Sequence, residues 1–277
     1  MSEQVGLRGR VWFQALTGND QPRTGDPGSV LTADAQERGE TALFLCVVPN
    51  PDSRFPCVRD GQVGLEEAYA LATRIREAID DDRDKPSAEK RSIIAIIDVK
   101  SQAYGRREET AGIFLSAAAS ADAYASARMA GHPVISLIVG HAFSGGFLTH
   151  GYQANRILAF DDAGVTIHAM HKEAAARITR RSVSDLEHLG HHIAPMSYDV
   201  RDYAKLGTLY RLLHVNNPIE PTESDIAEVT QAIADAVADA RTGTYDLGDR
   251  LNSPAAKETR KAGRTVRALM EEQWVTA

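Results

Sequence analysis

The segment Val134-Ile-Ser-Leu-Ile-Val-Gly-His-Ala-Phe-Ser-Gly-Gly-Phe-Leu148 constrains the fold more than any other stretch of the chain. A continuous apolar run of this length reads as a buried strand, and it stops abruptly in small residues before the pattern resumes as a helix. Gly140, Gly145 and Gly146 therefore sit at a strand-to-helix passage. Without a Cβ they let the main chain approach a ligand, and the first N–H groups of the helix have no intrahelical acceptor. The expectation is a cradle for an oxyanion or carboxylate, with Gly145 and Gly146 as catalytic backbone donors. Close packing of strand on helix needs the same small residues, and the two readings are compatible.

The length of 277 residues suits one large α/β domain with a helical appendage, divided here as 1–250 and 251–277. A hydrophobic content of 43% and a charged content of 25% are those of a globular protein, and apolar runs such as 42–48 are too short to cross a bilayer. The first ten residues lack the apolar core of a signal peptide, and Cys46 and Cys57 make no disulfide framework, so a soluble protein of the reducing cytoplasm is expected. A net charge of −7 argues against a nucleic-acid surface, which needs clustered cations.

Residues 11–16, 30–32 and 42–48 read as strands. Leu65, Ala68, Tyr69, Ala72, Ile75 and Ile79 form one helical stripe. Residues 93–97 read as a buried strand, 108–130 as one long alanine-rich helix, and 134–139 as the next strand. Residues 156–160 and 165–167 are short strands around a turn, and 170–180 are helical. Capping-box spacing at Ser184/Glu187 and Thr222/Asp225 marks two helix starts, the second running to about Arg241 with Gly243 as its stop. Ser253-Pro254 opens a last polar, basic helix toward Trp274.

A second constellation, Asp98-Val-Lys-Ser-Gln-Ala-Tyr-Gly-Arg-Arg-Glu-Glu109, joins a buried strand to the long helix. If the neighbouring strands are parallel, this loop and the glycine turn share a sheet edge. Ser101, Gln102, Tyr104, Gly140 and Ser144 are then the substrate-binding candidates. Arg106, Arg107, Glu108 and Glu109 are better read as solvated or helix-start charges. Ser144 raises a hydrolase reading, but a nucleophile elbow wants glycine where Ala142 stands. His168-Ala-Met-His171 and His188, His191 and His192 lack the spacing of a metal site, and Arg177, Arg180 and Arg181 fall on one basic ridge.

Taken together, the 98–109 segment, Gly131-His-Pro-Val-Ile135, the 140–146 turn, Gly151-Tyr-Gln-Ala-Asn-Arg156, His168-Ala-Met170, Ala174-Ala-Ala-Arg-Ile-Thr-Arg-Arg-Ser182 and Pro195-Met-Ser-Tyr198 resemble the gamma subunits of biotin-independent malonate decarboxylases. The resemblance runs from about residue 98 to 241 and, more loosely, through the N-terminal strands. It implies a crotonase-like ββα spiral fold of the carboxyltransferase type with C-terminal helices. It also implies a carboxy-lyase whose site is completed by a homologous beta subunit, acting on a malonyl thioester carried on the phosphopantetheine-type, CoA-derived arm of an acyl carrier subunit. An acyl carrier transferase subunit would serve the same complex, and no cofactor or metal would be bound by this chain. Two other readings stay open: a non-catalytic scaffold that docks the carrier, and a self-sufficient crotonase-like hydratase or hydrolase.

Overall fold

The computed structural model describes residues 7–37 and 39–275, apart from the side chains of Glu37 and Val275. The elements follow in the order α1 (Leu7–Thr17), β1 (Val30–Glu37), β2 (Glu40–Val47), α2 (Leu65–Asp81), β3 (Ser92–Val99), α3 (Arg106–Thr110), α4 (Ile113–Met129), β4 (Val134–Phe143), α5 (Ser144–Thr149), β5 (Arg156–Phe160), β6 (Thr166–His168), α6 (Lys172–Thr179), α7 (Val183–Gly190), α8 (Val200–Lys205), β7 (Arg211–Leu213), α9 (Glu223–Thr242), α10 (Gly248–Leu251), α11 (Pro254–Thr259) and α12 (Lys261–Val275).

The strands form one sheet in the order β1-β2-β3-β4-β5-β7, with β6 on the far end of β4. The hairpin β1–β2 is antiparallel and every other pairing is parallel. Parallel neighbours require crossover connections, and α2 and the α3–α4 pair provide them on either side of β3. Every residue of β3 is buried, which is why 93–97 shows no alternation in the sequence. Helices α1 and α9 pack on each other and on the central strands, while α2 and α4 pack side by side. Among the described residues no helix is long and apolar enough to cross a membrane.

Residues 11–16 are a helix, not the expected strand. The buried positions of α1 are Gly9, Trp12 and Phe13, a helical spacing that a run of adjacent apolar residues conceals. Trp12 drives the docking: its ring meets Phe160 edge-on at 4.7 Å between centroids, and its Nε1 donates to the Pro218 carbonyl at 2.9 Å. The long helix expected over 108–130 is two, because Gly112 adopts a left-handed φ of 86° and breaks the ladder between α3 and α4. The final helix is likewise interrupted at Arg260.

The capping box before α7 is formed by Ser182 and Asp185, two residues earlier than expected. That before α9 falls on Thr222 and Asp225 as read, and α9 ends at Thr242 with Gly243 as its cap. Helix α6 stops at Thr179 and Arg180 turns left-handed at φ 54°, so Arg180 and Arg181 leave the ridge expected with Arg177.

Strand β4 continues past Gly140 to Phe143. Residues 134–138 pair with β3, whereas Ala142 pairs with Val99. Three residues of β4 thus oppose the single residue Asp98, forming a bulge. The buried Asp98 carboxylate closes it, accepting from the backbone of His141 at 3.0 Å and of Gly9 at 3.2 Å. Beyond the bulge, 141–143 pair with β6. Gly140 is therefore a packing residue: a Cβ there would overlap the Asp98 carboxylate.

Candidate active site at the end of β4

Strand β4 passes into α5 with no intervening loop, and Ser144 makes the turn in a left-handed conformation, φ 56°. A residue bearing a Cβ is strained there by about 1 kcal/mol or more. Phe143, at the N-cap, offers no side-chain cap, so the N–H groups of the first turn must look elsewhere. The one on Gly145 donates to Gln102 Oε1 at 2.8 Å.

Gln102 lies in the loop after β3, where Val63 bridges to it. A Cβ on Gly145 would come within 2.7–3.1 Å of the Gln102 amide, and one on Gly146 would lie 2.5 Å from the Ser101 carbonyl carbon and oxygen. The Gly146 contact is with rigid backbone and the Gly145 contact with the end of a flexible side chain. Close packing therefore accounts for both glycines, and the Gly145 amide is engaged internally by Gln102.

The structure brings Ser101, Gln102, Tyr104, Ser144, Gly145 and Gly146 into one cluster and leaves Gly140 outside it. Ser101 is buried and its hydroxyl donates to the Gln102 carbonyl, so its side chain is spent internally. Tyr104 is exposed, and its hydroxyl pairs with Ser144 Oγ at 3.0 Å. Among the described residues Ser144 Oγ has no imidazole or carboxylate partner, which a nucleophilic serine needs.

Ser144 and Gly145 open onto a cavity of ≈ 380 Å³, also lined by Tyr152, His168, Pro195 and Tyr203. The ring of His168 stacks on Tyr198 at 4.0 Å, and the Tyr198 hydroxyl donates to the Met170 carbonyl at 2.6 Å. Burial pushes the His168 imidazole below its usual range, aided by His171 and opposed by its contact with the Met170 carbonyl, and burial pushes the Tyr198 phenol up to about 12. Both are thus neutral at physiological pH, and this wall adds no charge. His171 Nε2 meets the Lys100 carbonyl at 3.0 Å. Among the described residues no three His, Cys, Asp or Glu side chains are arranged to hold a metal.

Sequence reasoning missed Tyr152, His168, Pro195 and Tyr203 as cavity residues. Three of them lie in motifs already singled out, but nothing in their spacing places them beside Gly145. Tyr203 carries no signal at all.

Residues 58–274 match the family described as malonate decarboxylase gamma subunit. The malonyl-S-ACP:biotin-protein carboxyltransferase of Malonomonas rubra is 33% identical over 254 residues, 90% of this chain and 84% of that protein. A chain of the Pseudomonas malonate decarboxylase hetero-tetramer, solved in complex with coenzyme A, is 50% identical and superposes with a TM-score of 0.91, over 96% of this chain and 99% of that one. The transcarboxylase 12S core, at 17% identity, has a TM-score of 0.63 over 85% of this chain and 42% of its own, and shows the shared crotonase-like carboxyltransferase fold alone. By its fold, by the match of most of its length and by its identity to these relatives, the chain belongs to the malonate decarboxylase gamma subunit family.

Proposed function

We propose that the chain forms one half of a decarboxylation site, with a homologous beta subunit forming the other, and that Gly145 and Gly146 hold the carboxylate that leaves as CO2. The beta subunit would hold the thioester oxygen. Cleavage of the C–C bond releases CO2 and leaves its electron pair on the α-carbon, delocalised onto the thioester oxygen as an enolate. A proton then completes the acetyl thioester. Backbone donors in a site screened from water suit such charges, and removing one such donor costs other enzymes about 3 to 4 kcal/mol.

The observation that carries this reading is the Gly145 N–H held by a neutral amide oxygen, Gln102 Oε1, at 2.8 Å. A substrate carboxylate displaces it because a charged acceptor makes the stronger hydrogen bond. The malonyl group would arrive on the phosphopantetheine-type arm of an acyl carrier subunit, loaded by an acyl carrier transferase subunit. The Pseudomonas relative, a hetero-tetramer solved with coenzyme A, supports both a partnered site and a CoA-derived arm. Residues 251–277 are read as a helical extension. Its exposed Val266, Leu269, Met270 and Trp274 on α12 suit a subunit contact.

The test mixes the purified chain with its beta subunit and follows CO2 from a malonyl thioester. Release only from the mixture, reduced at least a hundredfold by Gly145→Val, is expected. Full activity of the lone chain, or an unaffected variant, overturns it. A second reading is favoured by the Malonomonas relative, named for transfer of the carboxyl group to a biotin protein. It shares the first bond cleavage and differs in its acceptor, so a strict requirement for a biotinylated protein in the same assay selects it.

A further inference from the structure

Helix α5 carries both glycines of the cradle and has little stability of its own. It is six residues long, a length that does not persist alone in water, and its two glycines lower the helix propensity further. What holds it is a set of buried polar side chains around its last turn.

Ser120 and Tyr124 stand one turn apart on α4 and are fully buried, as is His150 just after α5, and Thr149 is 3% exposed. The Ser120 hydroxyl donates to the Thr149 carbonyl at 2.8 Å. His150 Nδ1 meets the Tyr124 hydroxyl at 2.8 Å, and its Nε2 meets the Ile96 carbonyl of β3 at 3.1 Å. A carbonyl can only accept, so Nε2 carries the ring proton and Nδ1 accepts from the tyrosine. Burial pushes this imidazole down to about 4, and it stays neutral. The end of the helix is thereby tied to α4 and to β3.

Thr149 does something different. Its hydroxyl donates to the Gly145 carbonyl at 2.6 Å. That carbonyl and the Gly146 N–H are the two ends of one conjugated peptide group, so a proton delivered to the oxygen draws electrons from the nitrogen and makes its N–H the stronger donor. Thr110, Thr179 and Thr265 bond in the same way to the carbonyl four residues back, but at exposed positions where water competes. The Thr149 bond is shielded from water, and there a hydrogen bond is electrostatically stronger.

We propose that Thr149 is a positioning residue: its hydroxyl polarises the Gly145–Gly146 peptide and fixes the direction of the Gly146 N–H, while Ser120 holds the Thr149 backbone in place. The inference rests on the reading that Gly145 and Gly146 hold the carboxylate that leaves as CO2. That charge is already present in the bound substrate and disperses as CO2 forms, so a stronger donor acts on binding and not on the chemical step.

The test measures steady-state kinetics and the thermal midpoint of the chain assembled with its beta subunit. Thr149→Val keeps the branched shape and removes the hydroxyl. KM for the malonyl thioester should rise about threefold with kcat unchanged, from the loss of about 10–30% of the strength of a hydrogen bond to a charged group. Thr149→Ser returns the hydroxyl and should return KM to the parent value. Tyr124→Phe loosens the same helix end without touching the Gly145–Gly146 peptide, so it should lower the midpoint and leave KM unchanged. The proposal is overturned if neither KM nor kcat of Thr149→Val departs from the parent, if Thr149→Ser shares the defect, or if Tyr124→Phe raises KM equally. A fall in kcat at constant KM, restored by Thr149→Ser, supports the role of Thr149 and overturns the carboxylate assignment instead, because the enolate charge develops only beyond the ground state.

Discussion

Gln102 Oε1 accepts the Gly145 N–H at 2.8 Å, so a side chain from the loop after β3 occupies the first turn of a helix that follows the neighbouring strand. Two segments separated by 43 residues thus close one cradle. In the proposed reaction the amide oxygen stands where a substrate oxygen must bind.

Two substitutions at Gln102 have opposite expected effects. Gln102→Ala removes an internal competitor worth about 1 kcal/mol and should lower KM for the malonyl thioester about fivefold. Gln102→Glu places a charged acceptor on the same N–H and should raise KM about tenfold at neutral pH. That inhibition should fade as the pH falls toward the ordinary glutamate value of about 4.3. Steady-state kinetics of the assembled complex across pH check both.

The adjacent glycines should separate fold from function. A Cβ at Gly146 meets the Ser101 backbone at 2.5 Å and must shift the loop, so Gly146→Ala should destabilise the chain by about 1–3 kcal/mol. Gly146→Val is therefore no clean probe of the cradle. Gly145→Ala pushes only the Gln102 side chain aside and should keep stability within about 0.5 kcal/mol of the parent. Urea unfolding of both variants distinguishes them.

Asp82 ends α2, its backbone N–H donating to the Ala78 carbonyl, and its buried carboxylate is held by Arg91 at 3.0 Å and Lys85 at 2.9 Å. Burial alone would push the carboxyl up, but the hydrogen bonds from Arg91 and Lys85 outweigh it and leave it well below the usual carboxylate range. Its stabilisation is therefore complete above the unfolded value of about 3.9 and is lost as the pH falls below it. Asp82→Asn should cost about 3 kcal/mol at pH 7, and the gap from the parent should shrink below about pH 4. Denaturation at both pH values measures it.

Trp12 is fully buried between Phe160 and the Pro218 carbonyl. Trp12→Ala should cost about 3–5 kcal/mol, and a far smaller loss in chemical denaturation would show that α1 is not docked through this ring.

What the sequence determined by itself was the part written in local patterns. Unbroken apolar runs specified β3 and β4, the stripe from Leu65 to Ile79 specified α2, and Thr222 with Asp225 set the start of α9, because burial and capping act on residues close in the chain. Motif content was enough to identify the family and to gather Ser101, Gln102, Tyr104, Ser144, Gly145 and Gly146 as one group. The tertiary structure decided what depends on distant neighbours. It made residues 11–16 a helix, since Trp12 docks against Phe160 at the end of β5, and it set the bulge at Gly140 through Asp98. It also assigned the Gly145 amide to Gln102. Such partners meet only when the sheet has formed, and no spacing along the chain records which of them will be satisfied.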